Sequence, residues 1–448
     1  MGAENKFYCL WVALIIICGT IDGIHKSNNS LGHNRSPTNS PGRELVVLAA
    51  PSVWDVHYSQ SFDLLVTFYM TVIRSIIGRD NVLLLVDRHT LPHFKDQIPD
   101  DIILDANVYD IWLRDFAPIQ VSGGTKLVKF RYHPDGLDEV FAQLIDASWE
   151  RFAEDHFLNY DVSRMLVEGN QVVENGIDKA IISNTIFDQN THVYKEWASR
   201  IQLRNYFGKV ALITPRINST KFAALNGTGM PFRHLMQFAD DNLLVIAELQ
   251  EPERTQVLKT INKAFRNEIR VVELQMHYVK KAFKDLPNTC GLYTPFIATK
   301  DTIYFPVYGN DPLNWKMGHG SIMDRHAVKM VQVNTHKNVV PVNIPYAVCS
   351  NGYTLPAIVW RLNGPNADHL ISIARMRSNI RAALERKRLD EHQDHGYGEK
   401  NIDEQSSRQE QDIQSKPGFY NKYGSAFKLD HQADASTSET APGQEFKL

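Results

Sequence analysis

The chain has no G-x-x-x-x-G-K-[ST] phosphate loop, no H-E-x-x-H and no C-x-x-C. Their absence removes the usual sequence signals for nucleotide hydrolysis, zinc proteolysis and dithiol or zinc-ribbon chemistry. Gly227 and Gly229 form a G-x-G, but no clear strand precedes them and the third glycine of a dinucleotide loop is missing. A charge excess of either sign is also missing. The formal net charge of -3 gives no reason to expect nucleic acid or an anionic membrane as partner. His392 and His395 lie in a polar stretch and read as solvated, so no metal is expected, and no cofactor. Cysteine is scarce, with four in 448 residues.

Residues 1–23 read as a secretory signal: Lys6 precedes an apolar run over 7–18, followed by the small residues Gly19 and Thr20. The run is too short to span a bilayer comfortably, so no transmembrane span is expected in the mature chain; an uncleaved anchor is the alternative. Lys6 stands where myristoylation wants Ser or Thr. Four N-x-S/T sequons, at Asn28, Asn34, Asn218 and Asn226, suit a secreted glycoprotein. Cys9 and Cys18 leave with the signal. Cys290 and Cys349 then remain, as a disulfide or as two separate buried thiols.

Residues 24–43 are polar, without apolar periodicity, and predict a flexible leader. Globular sequence begins at Glu44 and runs to 364. Within it one phrase returns: a turn of Gly, Asp or Asn, then a short apolar strand. It occurs before strands at 82–86, 127–132, 180–183, 243–247 and 303–307. Helical spacing follows most of them, as in Val257, Ile261 and Phe265. Asp240-Asp241 reads as one of these turns, not as a catalytic pair. Five such units predict strand–strand–helix–strand modules repeated radially; an open α/β sheet shares the same alternation. Beyond Gly364-Pro365, residues 365–389 predict an amphipathic helix through Leu370, Ile373, Ala374, Ile380 and Leu384. Residues 390–448 predict a disordered tail.

The chemistry-bearing stretch is Asp110-Ile111-Trp112-Leu113-Arg114-Asp115-Phe116-Ala117-Pro118. Three charges beside a Trp make either a solvated turn or a pocket wall, since buried charges need partners. The stretch resembles the D-x-W-x-R-D-x-x-P signature of the agmatine deiminase and bacterial-type peptidylarginine deiminase family. Leu166-Val167-Glu168-Gly169-Asn170 is similar to that family's D/E-G-G-N, and Phe238-Ala239-Asp240-Asp241-Asn242 to its strand entry. The strings Cys290 to Thr299, Ile303 to Gly309 and Ile358 to Gly364 continue the same order. The resemblance implies a closed five-module α/β propeller with a pseudo-fivefold axis.

Hydrolysis of a guanidinium needs carboxylates to hold the cation, a Cys thiolate to attack carbon and a His to move protons. Asp115 matches the first carboxylate, with Trp112 and Arg114 beside it and Glu168 and Asn170 as further remnants of the pocket. The resemblance puts the family's His and second carboxylate at Pro231 and Arg233, and its Cys at Ala357. None of the three can do the chemistry. On a strand, His234 would point away from Arg233, and Cys349 would lie far from Ala357. The sequence therefore reads as an inactive relative, a secreted binding or scaffold protein whose ligand or protein partner it does not name. The alternatives are an active guanidine hydrolase and a non-covalent hydrolase using Asp115 and Glu168. Arg233 carries the substrate's own functional group, so it is expected to pair with Asp115 or Glu168 and to stack on Trp112.

Overall fold

Short apolar runs bounded by turn residues become strands, each too short to bury itself alone. The computed structural model describes residues 37–121, 123–124, 126–134, 137–217, 230–275, 289–313 and 320–394. The first sheet holds β1 (Leu45–Ala49), β2 (Asn81–Val86) and β3 (Ile103–Asp105). The second holds β4 (Ile119–Val121), β5 (Lys126–Arg131) and β6 (Asp161–Leu166). The third holds β7 (Val172–Glu174), β8 (Lys179–Ser183) and β9 (Lys209–Ile213). A ribbon of β10 (Arg216–Ile217) and β11 (Met230–Pro231) follows. The fourth sheet holds β12 (Met236–Asp240), β13 (Leu243–Ala247) and β14 (Arg270–Leu274). The fifth holds β15 (Ile297–Ala298), β16 (Thr302–Val307) and β17 (Asn338–Asn343). The last strand, β18 (Val359–Leu362), returns to the first sheet.

One pairing rule governs all five sheets. A short strand pairs antiparallel with a fully or largely buried one, which pairs parallel with the next: β4–β5–β6, β7–β8–β9, β12–β13–β14 and β15–β16–β17. The first sheet obeys it with chain ends exchanged, since β18 supplies the antiparallel strand for β1, and β1 runs parallel to β2. Parallel pairs need a covered crossover, and helices provide it. Helix Phe62–Ile76 buries Phe62, Leu65, Tyr69, Val72, Ile73 and Ile76 and stops before Gly78, at φ +83. Helix Glu253–Phe265 buries Val257, Ile261 and Phe265. Helix Glu139–Asp155 starts where the Asp138 side chain accepts from the Val140 and Phe141 amides.

Alternation along β1 and β2 divides the core. Val46, Leu48, Val82 and Leu84 face one cluster, shared with the fourth and fifth sheets; Leu45, Val47, Leu83 and Leu85 face another, shared with Trp149 and Phe152. A third cluster joins the second and third sheets, and a fourth joins the third and fourth.

Three boundaries differ from the sequence reading. Residues 38–43 are not all leader. Asn39 is buried, exchanging hydrogen bonds with the Val82 backbone, and Thr38 bonds Asp101. Polar side chains here complete the edge of β2 and are held by hydrogen bonds, which composition does not reveal. The C-terminal helix runs Pro365–Asp394, so 390–394 are helical. Only its first half packs as an amphipathic helix: Ala367, Leu370, Ile371 and Ala374 are buried, whereas Ile380 and Leu384 are exposed. Residues 1–36 and 395–448, with Asn28, Asn34, Asn218, Asn226, Gly227, Gly229 and His395, lie outside the described residues. Among the described residues no helix is long and apolar enough to cross a membrane.

Candidate functional site

The charged stretch folds into a single helical turn, Leu113–Phe116, and its apolar and charged residues separate. Leu113 and Phe116 are buried. Asp110 shapes the entry: its Oδ1 accepts from the Ile111 amide at 2.7 Å and from the Tyr58 hydroxyl at 2.8 Å. Burial pushes this carboxyl up to about 7, against those same hydrogen bonds. Arg114 leaves the turn toward β7. Its Nη2 donates to the Val172 carbonyl at 2.9 Å, and Nη1 lies 3.3 Å from Glu174. That approach explains the glycine of the Glu168-Gly169-Asn170 string. A Cβ on Gly169 would stand 1.7 Å from the Arg114 carbonyl oxygen.

Asp115 faces Arg233 instead. Arg233 Nη1 lies 3.6 Å from its Oδ1, so the ion pair expected from the sequence is formed with Asp115. The contact is looser than a hydrogen bond. Burial raises the Asp115 carboxyl, and Arg233, Asn170 and Arg114 act against that rise. Asn170 in turn donates to Glu168 Oε2 at 2.8 Å. Val167 is buried in the core, and Glu168 is the acid that reaches this network.

Trp112 is covered by Tyr353 rather than by Arg233: the rings stack at 4.8 Å and 22°. Ala357 is buried in the short turn Leu355–Ile358, which packs on the Leu113–Phe116 turn. Pro231 pairs with Arg216 in the ribbon and precedes a second helical turn, Phe232–Leu235. That turn corrects the strand expected for His234. Arg233 and His234 are neighbours on it, and Arg233 Nε donates to His234 Nε2 at 3.1 Å. Burial, then Arg233, holds His234 well below its ordinary pKa, so the ring is neutral. The structure thus places Trp112, Asp115, Glu168, Asn170, Arg233 and Ala357 at or beside four turns, Leu113–Phe116, Gly169–Gln171, Phe232–Leu235 and Leu355–Ile358, the first of which meets each of the others.

Cys349 sits in a helical turn rather than an extended segment, and its sulfur is bonded to Cys290, with Cα atoms 4.8 Å apart. The described residues therefore hold no free thiol. Nor, among them, do three His, Cys, Asp or Glu side chains stand together as a metal site. Sequence reading missed the partners of Arg114. Glu174 Oε1 also takes Arg361 Nη2 at 2.7 Å, and Arg361 reaches Glu44 at 3.7 Å. These four residues are far apart in sequence, and no local pattern connects them. Asp110 opens the charged stretch, but nothing in that stretch marked its bond to the buried Tyr58 hydroxyl or the stack of Tyr353 on Trp112.

A family model described as Porphyromonas-type peptidyl-arginine deiminase matches residues 36–353. Among solved structures, the chain is similar to C. jejuni agmatine deiminase, at TM-score 0.55 and 16% identity over 76% of this chain and 99% of that one. It is also similar to an agmatine deiminase of Enterococcus faecalis, at TM-score 0.53 and 17% identity over 75% and 99%. At such identity the likeness carries the mixed α/β fold alone. No curated protein matches the sequence.

Proposed function

Because the chain belongs to the Porphyromonas-type peptidyl-arginine deiminase family, we propose that it keeps the family's frame and cation-facing carboxylate and has lost its hydrolysis. It then acts as a secreted binding protein. The observation that carries this reading is the Arg233–Asp115 pair. A side-chain guanidinium occupies the carboxylate that a guanidinium substrate would need. Three further facts support it. Ala357 offers no nucleophile, Pro231 no proton carrier, and the sulfurs of Cys290 and Cys349 are tied to each other. The disulfide and the sequons also suit an oxidising secretory route. The closed five-module propeller belongs to the same proposal. It is supported by the shared pairing rule and by core clusters that link each sheet to the next and the fifth to the first.

The test is ammonia release from agmatine and from peptidyl-arginine, the substrate classes named by the relatives. The parent protein should release none above blank. The Ala357→Cys/Pro231→His/Arg233→Asp variant should gain measurable release. Ammonia from the parent overturns the proposal in favour of an active guanidine hydrolase. A non-covalent hydrolase using Asp115 and Glu168 has one observation behind it, the Asn170 side chain that bonds both carboxylates. It predicts slow release from the parent that Asp115→Asn abolishes.

A further inference from the structure

The C-terminal helix Pro365–Asp394 has two unlike faces. On the inner face Ala367, Leu370, Ile371 and Ala374 are buried in the core cluster they share with the first sheet. Beyond them arginines take over. Arg377 Nη1 donates to the Asp105 carbonyl at 3.2 Å and Arg381 Nη2 to the Ile103 carbonyl at 3.1 Å, so the helix covers the outer edge of β3. Arg381 also holds the Asp100 and Asp105 carboxylates, each at 3.1 Å, and Lys95 meets Glu385 at 3.4 Å. The helix is thereby tied to the domain as far as residue 385.

The outer face is open. Ser372, Arg375, Met376, Asn379, Ile380 and Ala383 make one strip along it. Met376 is 55% and Ile380 50% exposed. Apolar residues exposed singly need no account, but Met376, Ile380 and Ala383 follow at intervals of four and three and share a face. Size narrows what covers them. A stable interface between separate proteins takes about 20–30 residues a side. Six residues are too few for a second copy or a free partner, whereas a segment tethered to the same chain arrives at high effective concentration and needs far less surface.

Residues 395–448 follow the helix and lie outside the described residues. They are mostly polar, and their densest apolar stretch runs from Phe419 and Tyr420 through Tyr423 and Phe427 to Leu429. Tyr420, Tyr423 and Phe427 are spaced by three and four, the intervals of the helix strip in reverse order, as an antiparallel partner requires. Gly424 keeps this stretch from holding a helix alone, so its rings line up only on a surface that orders them. The reach also fits. From Asp394 back to Ile380 is about 21 Å along the helix. Residues 395–418, taken as the coil their composition predicts, span about 25–29 Å. A tether matched to its span gives the highest effective concentration.

We propose that residues 419–429 fold back antiparallel onto this strip, with Phe427 on Met376, Tyr423 on Ile380 and Tyr420 on Ala383. The Met376 thioether against an aromatic ring adds to the contact. The strip is distinct from the turns that hold Asp115, and its cover does not depend on whether that site hydrolyses anything.

The test is oxidation of Met376 by hydrogen peroxide in the full mature chain, followed as the sulfoxide by peptide mass spectrometry. Tyr420→Ser/Tyr423→Ser/Phe427→Ser should oxidise at Met376 at least fivefold faster than the parent. Met323, on helix Ser321–Gln332, should oxidise at one rate in both. Ile380→Asp stands at a half-exposed position that leaves the core intact, and it should unmask Met376 to the same extent. Equal Met376 rates in parent and triple variant overturn the proposal: fast rates leave the strip open, and slow rates assign its cover to another group. Parent-like protection in Ile380→Asp overturns it too. So does protection that rises with protein concentration, which assigns the cover to a second copy.

Discussion

At the scale of single residues, the site is decided by what stands beside Asp115. Arg233 and Asp115 are 28% and 15% exposed along their side chains, so solvent weakens the pair below a fully buried one. Arg233→Ala should cost about 1–3 kcal/mol by leaving Asp115 without its cation. It should also create affinity for small guanidinium ligands that the parent lacks. Chemical denaturation and calorimetry read the two effects, and equal ligand binding in both proteins would refute the proposal that Arg233 stands in for a guanidinium ligand. Gly169→Ala should cost about 3 kcal/mol or more, because the new methyl meets a backbone oxygen that cannot rotate away. A melting temperature within a degree of the parent would show that the Arg114 carbonyl moves freely. The Asp115–Arg233 pair was legible in the sequence because the resemblance set an arginine opposite Asp115, and a buried charge needs a partner. The Arg114–Glu174–Arg361–Glu44 chain was not, since only folding brings those residues together. Nor was the Tyr353 stack on Trp112, for the same reason.

At the scale of elements, apolar pattern and turn chemistry located most of the secondary structure. Asn81–Val86, Leu243–Ala247 and Glu253–Phe265 stand where periodicity put them. It failed where polar groups are buried by hydrogen bonding, as at Asn39, and where a single helical turn replaced a strand, as at Phe232–Leu235. Four-residue turns carry too few positions for a period to show. The Cys290–Cys349 bond ties the approach to β15 to the turn before β18, across a separation of 59 residues. Closing a loop of that length is worth about 4 kcal/mol on the chain-entropy account. Cys290→Ser/Cys349→Ser should therefore lose about 2–4 kcal/mol in urea unfolding, and an unchanged midpoint would show the bridge to be idle.

At the scale of the whole molecule, stability should depend on pH through two opposed buried groups. Asp110 titrates near 7 in the folded chain, above its ordinary value of about 4. Its contribution is fully present below about pH 4 and is lost as pH rises through about 7. His234 is held low, so it opposes folding in acid and stops doing so as pH passes about 6.5. Asp110→Asn removes the first slope only. Its melting temperature should gain on the parent between pH 5 and pH 8, and parallel curves would remove Asp110 from the account. The pairing of β1 with β18 has a consequence for how the chain is assembled. Leu45 pairs with Leu362, so the first strand made keeps an open edge until almost the whole domain has been synthesised. That edge is five fully buried residues long in the finished protein, the kind of surface that recruits a second chain. The first sheet is thus a seat left vacant during synthesis. A fragment ending at residue 354 should self-associate, and a separate peptide of residues 355–375, carrying β18 and the buried start of the last helix, should bind it saturably and return it to monomer in sedimentation. If the fragment is monomeric and ignores the peptide, the seat is not vacant and the chain closes by another route.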